Sequence, residues 1–168
     1  FKIGSGEITD HSFLNYVASK KKLIILSTGA STLIEVEEAV KCIYEHHKEL
    51  VLLHCTSSYP AELKDVNLNA MKTLMSEFDC PIGYSDHTVG NAVSIAAVAM
   101  GAKVIERHIT LDKNMEGPDH KASLNEEEFT AMITAIRDLE MALGSFEKQP
   151  VASERETIQL GRRSIHLK

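Results

Sequence analysis

Over residues 1–144, short apolar runs alternate with longer stretches of helical period. The short runs are residues 1–3, 23–26, 50–55, 82–84 and 103–109, each nearly continuous in Val, Ile and Leu. That is the pattern of strands covered on both faces rather than of strands with one wet face. Between them, residues 11–19, 32–47, 66–77, 91–100 and 126–143 have helical spacing. Residues 91–100 are almost all small or apolar and predict a buried helix. The last stretch carries its own boundaries: Ser123 to Glu126 has capping-box spacing, and Gly144 follows as the C′ residue. Strands and helices alternating in this way predict an α/β fold with a parallel sheet, either doubly wound or closed as a barrel.

Polar residues separate those two. Ser5 and Glu7, Ser27 and Thr28, Thr56 to Ser58, Ser85 and His87, and His108 and Thr110 follow the successive apolar runs. A doubly wound sheet gathers its chemistry at one switch point. A barrel brings every strand end to one mouth. The pattern therefore predicts a (β/α)8 TIM barrel, represented by a partial barrel that lacks roughly three βα units. From Gln149 the alternation lapses. Residues 150–153 read as a connector and 153–156 as the cap of a short helix. Residues 162–168 read as the first strand of a further module.

Composition narrows the function classes. The chain has 168 residues, 43% hydrophobic and 25% charged, which is enough for one domain with its own core. A net charge of −6 without a long basic run argues against a nucleic-acid surface. Any anion site must then be locally positive. No apolar run approaches a membrane span, and the N-terminal residues do not form a secretory signal. Cys42, Cys55 and Cys80 are odd in number and fit no CxxC spacing, so a reduced, cytosolic setting is expected.

His87 and His108 are the leading chemical candidates. Each follows an apolar run, with one helical stretch between them. A single histidine is more often a structural residue, but two at neighbouring parallel strand ends can share one metal ion. Two nitrogens would leave an open, Lewis-acidic site, with Glu7 and Asp119 as neighbours. His46 and His47, beside Glu45 and Lys48, read as solvated by contrast. Ser5, Ser27, Ser57, Ser58 and Ser85 are singly ordinary turn residues. Around one mouth they become donors for a phosphate or carboxylate. Lys2 lies inside the first strand, where it can project its charge inward. Gly4 and Gly6 allow close approach of backbone to a ligand. Tyr59 either contacts a ligand or packs. The methionines Met71, Met75, Met132 and Met141 read as core filling.

These residues also form an ordered set of motifs. They are KIGSGE (Lys2 to Glu7), LSTG (Leu26 to Gly29), HCTSSYP (His54 to Pro60), GYSDHT (Gly83 to Thr88), IERHIT (Ile105 to Thr110) and GPDHKASL (Gly117 to Leu124). In that order the chain resembles the sialic acid synthases: N-acetylneuraminate synthases and their legionaminic and pseudaminic acid relatives. The resemblance implies a TIM barrel followed by a small antifreeze-like domain. It places residues 1–148 at about strands 4 to 8 of the barrel, and 149–168 in the linker toward that second domain.

Its functional implications are specific. Such enzymes condense phosphoenolpyruvate with an N-acylated mannosamine-type sugar and water, and release phosphate. They use a divalent metal, commonly Mn2+, with Mg2+ or Co2+ as alternatives. By resemblance, His87 and His108 are the metal ligands. Lys2, Ser5, Ser27 and Ser85 match positions that hold phosphoenolpyruvate, and Ser57 stands where some members have asparagine. Glu7, Tyr59 and Asp119 match sugar-contacting positions, with Glu7 able to orient the sugar or relay a proton. N-acetylmannosamine is the favoured sugar, and a diacetamido-trideoxyhexose comes next. The family habit is a domain-swapped homodimer. Two other expectations stand beside this one. The chain could serve another phosphoenolpyruvate-dependent aldol condensation, or, taken alone, be a non-catalytic piece with exposed strand edges.

Overall fold

The computed structural model describes residues 1–163; residues 164–168, which include most of the expected further strand, lie outside the described residues. Five strands are formed: β1 (Lys2–Ile3), β2 (Ile24–Ser27), β3 (Leu50–Cys55), β4 (Ile82–Asp86) and β5 (Ile105–Arg107). They alternate with α1 (His11–Ala18), α2 (Leu33–Tyr44), α3 (Asn69–Glu77), α4 (Ala92–Ala99) and α5 (Glu126–Leu143). A short helix, α6 (Arg155–Gly161), follows an exposed stretch that begins after Gly144. No helix among the described residues is long and apolar enough to cross a membrane.

Element edges move from their expected places for local reasons. β4 extends through Ser85 and Asp86 because these pair with Glu106 and Arg107 of β5. β5 shortens, and Ile109 continues it only as an isolated bridge to Leu124. α2 begins after Thr32, whose hydroxyl accepts the Glu35 amide while the Glu35 carboxylate accepts the Thr32 amide. The capping box of α5 is formed by Asn125 and Glu128, not by Ser123 and Glu126. The helix starts at Glu126, so the residue that can reach the N3 amide is Asn125. Ser123 instead donates its hydroxyl to the Asp119 carbonyl. Gly144 ends α5 with φ +57°, a left-handed value that favours glycine. Ser153 does not cap α6, because it lies inside a 3-10 turn, Ala152–Glu154, that runs directly into the helix. α4 is less covered than its composition suggests: only Ser94 and Ala97 are fully buried.

Every strand pair is parallel, and the spatial order is β1-β2-β3-β4-β5. A doubly wound sheet would reverse its order at a switch point. Strictly sequential neighbours are what a barrel requires. Residues paired across parallel strands point to the same face, and successive residues alternate. Ile3, Leu26, Leu52 and Ile82 form one such row, with Tyr84 and Ile105 on the same side. This row packs against Leu14 of α1, Val36 and Ile43 of α2, and Met71 and Leu74 of α3, and makes the core. Ser27, Leu53 and Gly83 line the opposite face, followed by Cys55, Ser85 and Glu106.

The opposite face is concave. In a flat sheet, β1 and β5 would stand roughly 19 Å apart, four strand spacings. Yet Lys2 Nζ lies 3.5 Å from Glu106 Oε1. The outer strands have therefore swung toward each other, and the sheet is a half-barrel whose C-terminal strand ends share one mouth.

Candidate functional site

A cavity of about 420 Å³ opens at that mouth. Its walls are Lys2, Ser5, Ser27, Cys55, Ser57, Tyr59, Ser85, His87, Glu106 and His108, with Gly4 and Gly6 at one side. A larger cavity of about 700 Å³ lies between α2 and α3 and shares Cys55 and Ser57 with the mouth. Its histidine, His54, is already committed through Nε2 to the Val66 carbonyl at 2.9 Å. The chemistry-bearing side chains converge in the smaller cavity, so that is the candidate site.

His87 is held most firmly. It leaves the end of β4 with Nδ1 2.7 Å from the Thr56 carbonyl. A carbonyl only accepts, so this contact assigns the imidazole proton to Nδ1. Nε2 then carries the lone pair and points into the mouth, 3.4 Å from Ser85 Oγ. Burial pushes the His87 imidazole below its ordinary value of 6.5, partly offset by the bond to Thr56. Neutral at physiological pH, with one ring nitrogen anchored and the other open, it has the state a metal ligand needs.

His108 stands across from it, the ring centroids 5.5 Å apart. The Tyr59 ring lies 4.2 Å from His87 and 5.4 Å from His108, so the three rings line one wall. His108 Nδ1 is 3.8 Å from Asp119 Oδ2. Among the described residues no set of three His, Cys, Asp or Glu side chains converges as a complete cage. The two imidazoles that face each other across the mouth are those of His87 and His108.

The anion-binding candidates occupy the other wall. Lys2 projects into the mouth, as its place in the first strand predicts. Ser27 and Ser85 are buried, while Ser57 is exposed. Ser5 Oγ accepts the Gly29 amide at 2.9 Å and lies 3.3 Å from Cys55 Sγ. A Cβ on Gly29 would meet Ser57 Oγ, Cys55 Sγ and Ser5 Oγ, all within 2.8 Å. Glycine there is a condition for bringing β1, β2 and β3 together at the mouth. Glu7 lies exposed on the 3-10 turn Ser5–Glu7, outside the cavity wall. Asp119 is on the rim and reaches the site through His108.

Sequence reasoning overlooked Glu106, Cys55 and Gly29. Glu106 accepts the Ser85 hydroxyl at 2.7 Å. A signal for it existed: it stands two residues before His108, which follows directly on the strand end, so the alternation of side chains turns both toward the mouth. Two other expectations need correction. His46 and His47 are not simply solvated: His46 Nε2 pairs with Asn15 Oδ1 at 3.0 Å and ties the turn after α2 to α1, and His47 Nδ1 accepts the Glu49 amide. Met71 and Met132 fill the interior, but Met141 is exposed because it lies on the outer side of α5.

Comparison with known proteins agrees with this fold. Residues 1–148 match the NeuB family. N,N'-diacetyllegionaminic acid synthase from Legionella pneumophila is 51% identical over 172 residues, covering 99% of this chain and 48% of that protein. Human N-acetylneuraminate-9-phosphate synthase is 41% identical over 155 residues, covering 92% of this chain and 43% of that protein. The chain spans about half the length of the curated relatives it matches. The crystal structure of an N-acetylneuraminic acid synthetase from Leptospira borgpetersenii, in complex with citrate, superimposes with a TM-score of 0.87 at 38% identity. That match covers 95% of this chain and 56% of the other. A half-barrel of sequential parallel strands, a mouth of two imidazoles, hydroxyls and one lysine, and these matches together make the chain a member of the NeuB family, that of the sialic acid synthases.

Proposed function

We propose that this mouth condenses phosphoenolpyruvate with a free N-acylated mannosamine-type sugar and water, yielding a nonulosonic acid and inorganic phosphate. The observation that carries the reading is the convergence of Lys2, Ser27, Ser85, His87 and His108 in one cavity. One cation, two hydroxyl donors and two imidazoles suit a reaction between an anionic enol and a carbonyl. In that reaction carbon 3 of phosphoenolpyruvate bonds to the sugar aldehyde carbon. Water oxygen adds at carbon 2, and the bond from carbon 2 to the phosphate oxygen breaks.

His87 and His108 would hold a divalent metal, Mn2+ in our reading, which supplies Lewis-acid activation of the aldehyde oxygen. Lys2, Ser5, Ser27 and Ser85 bind and orient phosphoenolpyruvate through its anionic oxygens, with Ser57 at the outer edge. The half-exposed Tyr59 ring and the Asp119 carboxylate, which lies near His108, would meet the sugar. Glu7, exposed on the turn after β1, would orient the sugar or relay a proton. The higher identity to a legionaminic acid synthase, 51% against 41% for a sugar-phosphate enzyme, supports an unphosphorylated diacetamido sugar. N-acetylmannosamine is the second reading, supported by the structural likeness to the Leptospira synthetase. The same reading makes the working enzyme a cytosolic homodimer.

The test is phosphate release from phosphoenolpyruvate by the full-length protein with Mn2+ and a panel of sugars. The panel contains N-acetylmannosamine, its 6-phosphate and the 2,4-diacetamido-trideoxy sugar. Release with a free sugar is the expected result. Silence with every sugar overturns the proposal.

A further inference from the structure

The mouth contains a carboxylate that binding an anionic substrate does not explain. Glu106 Oε1 accepts the Ser85 hydroxyl at 2.7 Å and lies 3.5 Å from Lys2 Nζ. Ser85 and Glu106 are direct cross-strand partners, so backbone register holds this contact in place. A serine hydroxyl has a single hydrogen to donate. While Ser85 donates to Glu106, it has no donor left for a phosphate. Lys2 is drawn to the same oxygen. An anion entering the mouth must take both donors from Glu106 and then sit beside a like charge.

The pair is not there chiefly for stability. Its two side chains are 37% and 36% exposed, a setting in which an ion pair contributes little to folding. Its place is among the reacting groups: Ser85 Oγ is also 3.4 Å from His87 Nε2.

We propose that Glu106 is an internal placeholder anion. It is a positioning residue that orders Lys2 and Ser85 before substrate arrives and competes with the cleaved phosphate for them afterwards. Its consequence is weak retention of inorganic phosphate and prompt clearing of the mouth. The inference rests on the proposed placement of the substrate phosphate at Lys2 and Ser85.

The experiment is calorimetric titration of inorganic phosphate into the full chain, wild type, Glu106→Gln and Ser85→Ala. Glutamine keeps an acceptor oxygen for Ser85 and removes the charge. Phosphate is expected to bind about tenfold tighter to Glu106→Gln, the size of effect that removing one opposed charge produces. Product inhibition by phosphate should strengthen by the same factor. Ser85→Ala should weaken phosphate binding. If Ser85→Ala weakens it but Glu106→Gln leaves it equal or weaker than wild type, the placeholder is overturned and the phosphate placement stands. If Ser85→Ala leaves the affinity unchanged, the placement itself is wrong and the placeholder falls with it. Should Glu106→Gln fail to fold, Glu106→Ala carries the same expectation.

Discussion

Two sets of polar residues alternate along β4 and β5, and they have opposite fates. On the concave side, Ser85, His87, Glu106 and His108 line the mouth. On the helix side, Asp86 and Arg107 form an ion pair at 2.7 Å with side chains 0% and 1% exposed. Asp86 Oδ1 accepts the amide and the hydroxyl of Thr88, both at 2.8 Å, and Oδ2 accepts the Ser94 hydroxyl at 2.5 Å. Arg107 Nη2 donates to the Thr88 carbonyl at 3.0 Å. Arg107 Nη1, though close to Asp86, lies off the hydrogen-bond direction, and Nε has no acceptor among the described residues. The outer set is thus an electrostatic clasp that joins β4, β5 and the start of α4. It fixes the strand ends from which the inner set projects. Charge in a strand motif is evidence of function only after its face is known.

The sharpest way to break this comparison is on the outer face. Asp86→Ala leaves Arg107 buried without its partner, and should cost about 3–5 kcal/mol of stability. A denaturant titration reads this as a lower midpoint with unchanged slope. Replacing both partners with apolar residues of similar volume should cost far less. If Asp86→Ala cost under about 1 kcal/mol, the outer set would be as dispensable as an exposed pair.

Inner-face changes should do the reverse. His87→Ala or His108→Ala is expected to reduce phosphate release by at least about 100-fold, since even groups that merely support a metal ligand contribute that much. Their unfolding midpoints should stay close to wild type. A variant that unfolded easily while its folded fraction turned over normally would move that histidine into the structural set.

A smaller effect separates polar from satisfied on the outer face. Tyr84 is buried, and its hydroxyl has no partner among the described residues. Burial also pushes its phenol upward. Tyr84→Phe should be neutral or stabilising by up to about 1 kcal/mol in thermal melts. A clear loss would reveal a bond to that hydroxyl.

The smallest effect lies away from both faces. The hydrogen bond from Lys113, then that from the Asn125 amide, holds the Glu128 carboxyl below its ordinary value of 4.5. A lowered folded value means that this contribution is complete above 4.5 and fades as pH falls through the folded value. Glu128→Gln should melt slightly lower than wild type at neutral pH. The gap should close in acid. A gap that persisted unchanged there would remove the carboxylate's charge from the account.

Much of the fold was legible because continuous apolar runs and helical periods are local signals. They located all five strands among the described residues and the five helices that alternate with them. Boundaries were harder, since a cap depends on which amide a side chain reaches: Asn125, not Ser123, faces the Glu128 amide. The candidate site was partly legible through strand ends. Glu106 was overlooked because its importance comes from a cross-strand neighbour and from Lys2 on a strand at the far side of the sheet. His46 was misread for the same reason, since its partner is on another helix.

By itself, the sequence determined the βα alternation, the polar strand ends and an ordered motif set, all of which follow from residue type and spacing along one chain. Only the tertiary structure decided which polar residues are site and which are clasp. Neighbours such as Ser85 and Asp86 are both polar, but the pleat turns them to opposite faces. Curling of the sheet then brings Lys2 to Glu106 and makes one of those faces a mouth.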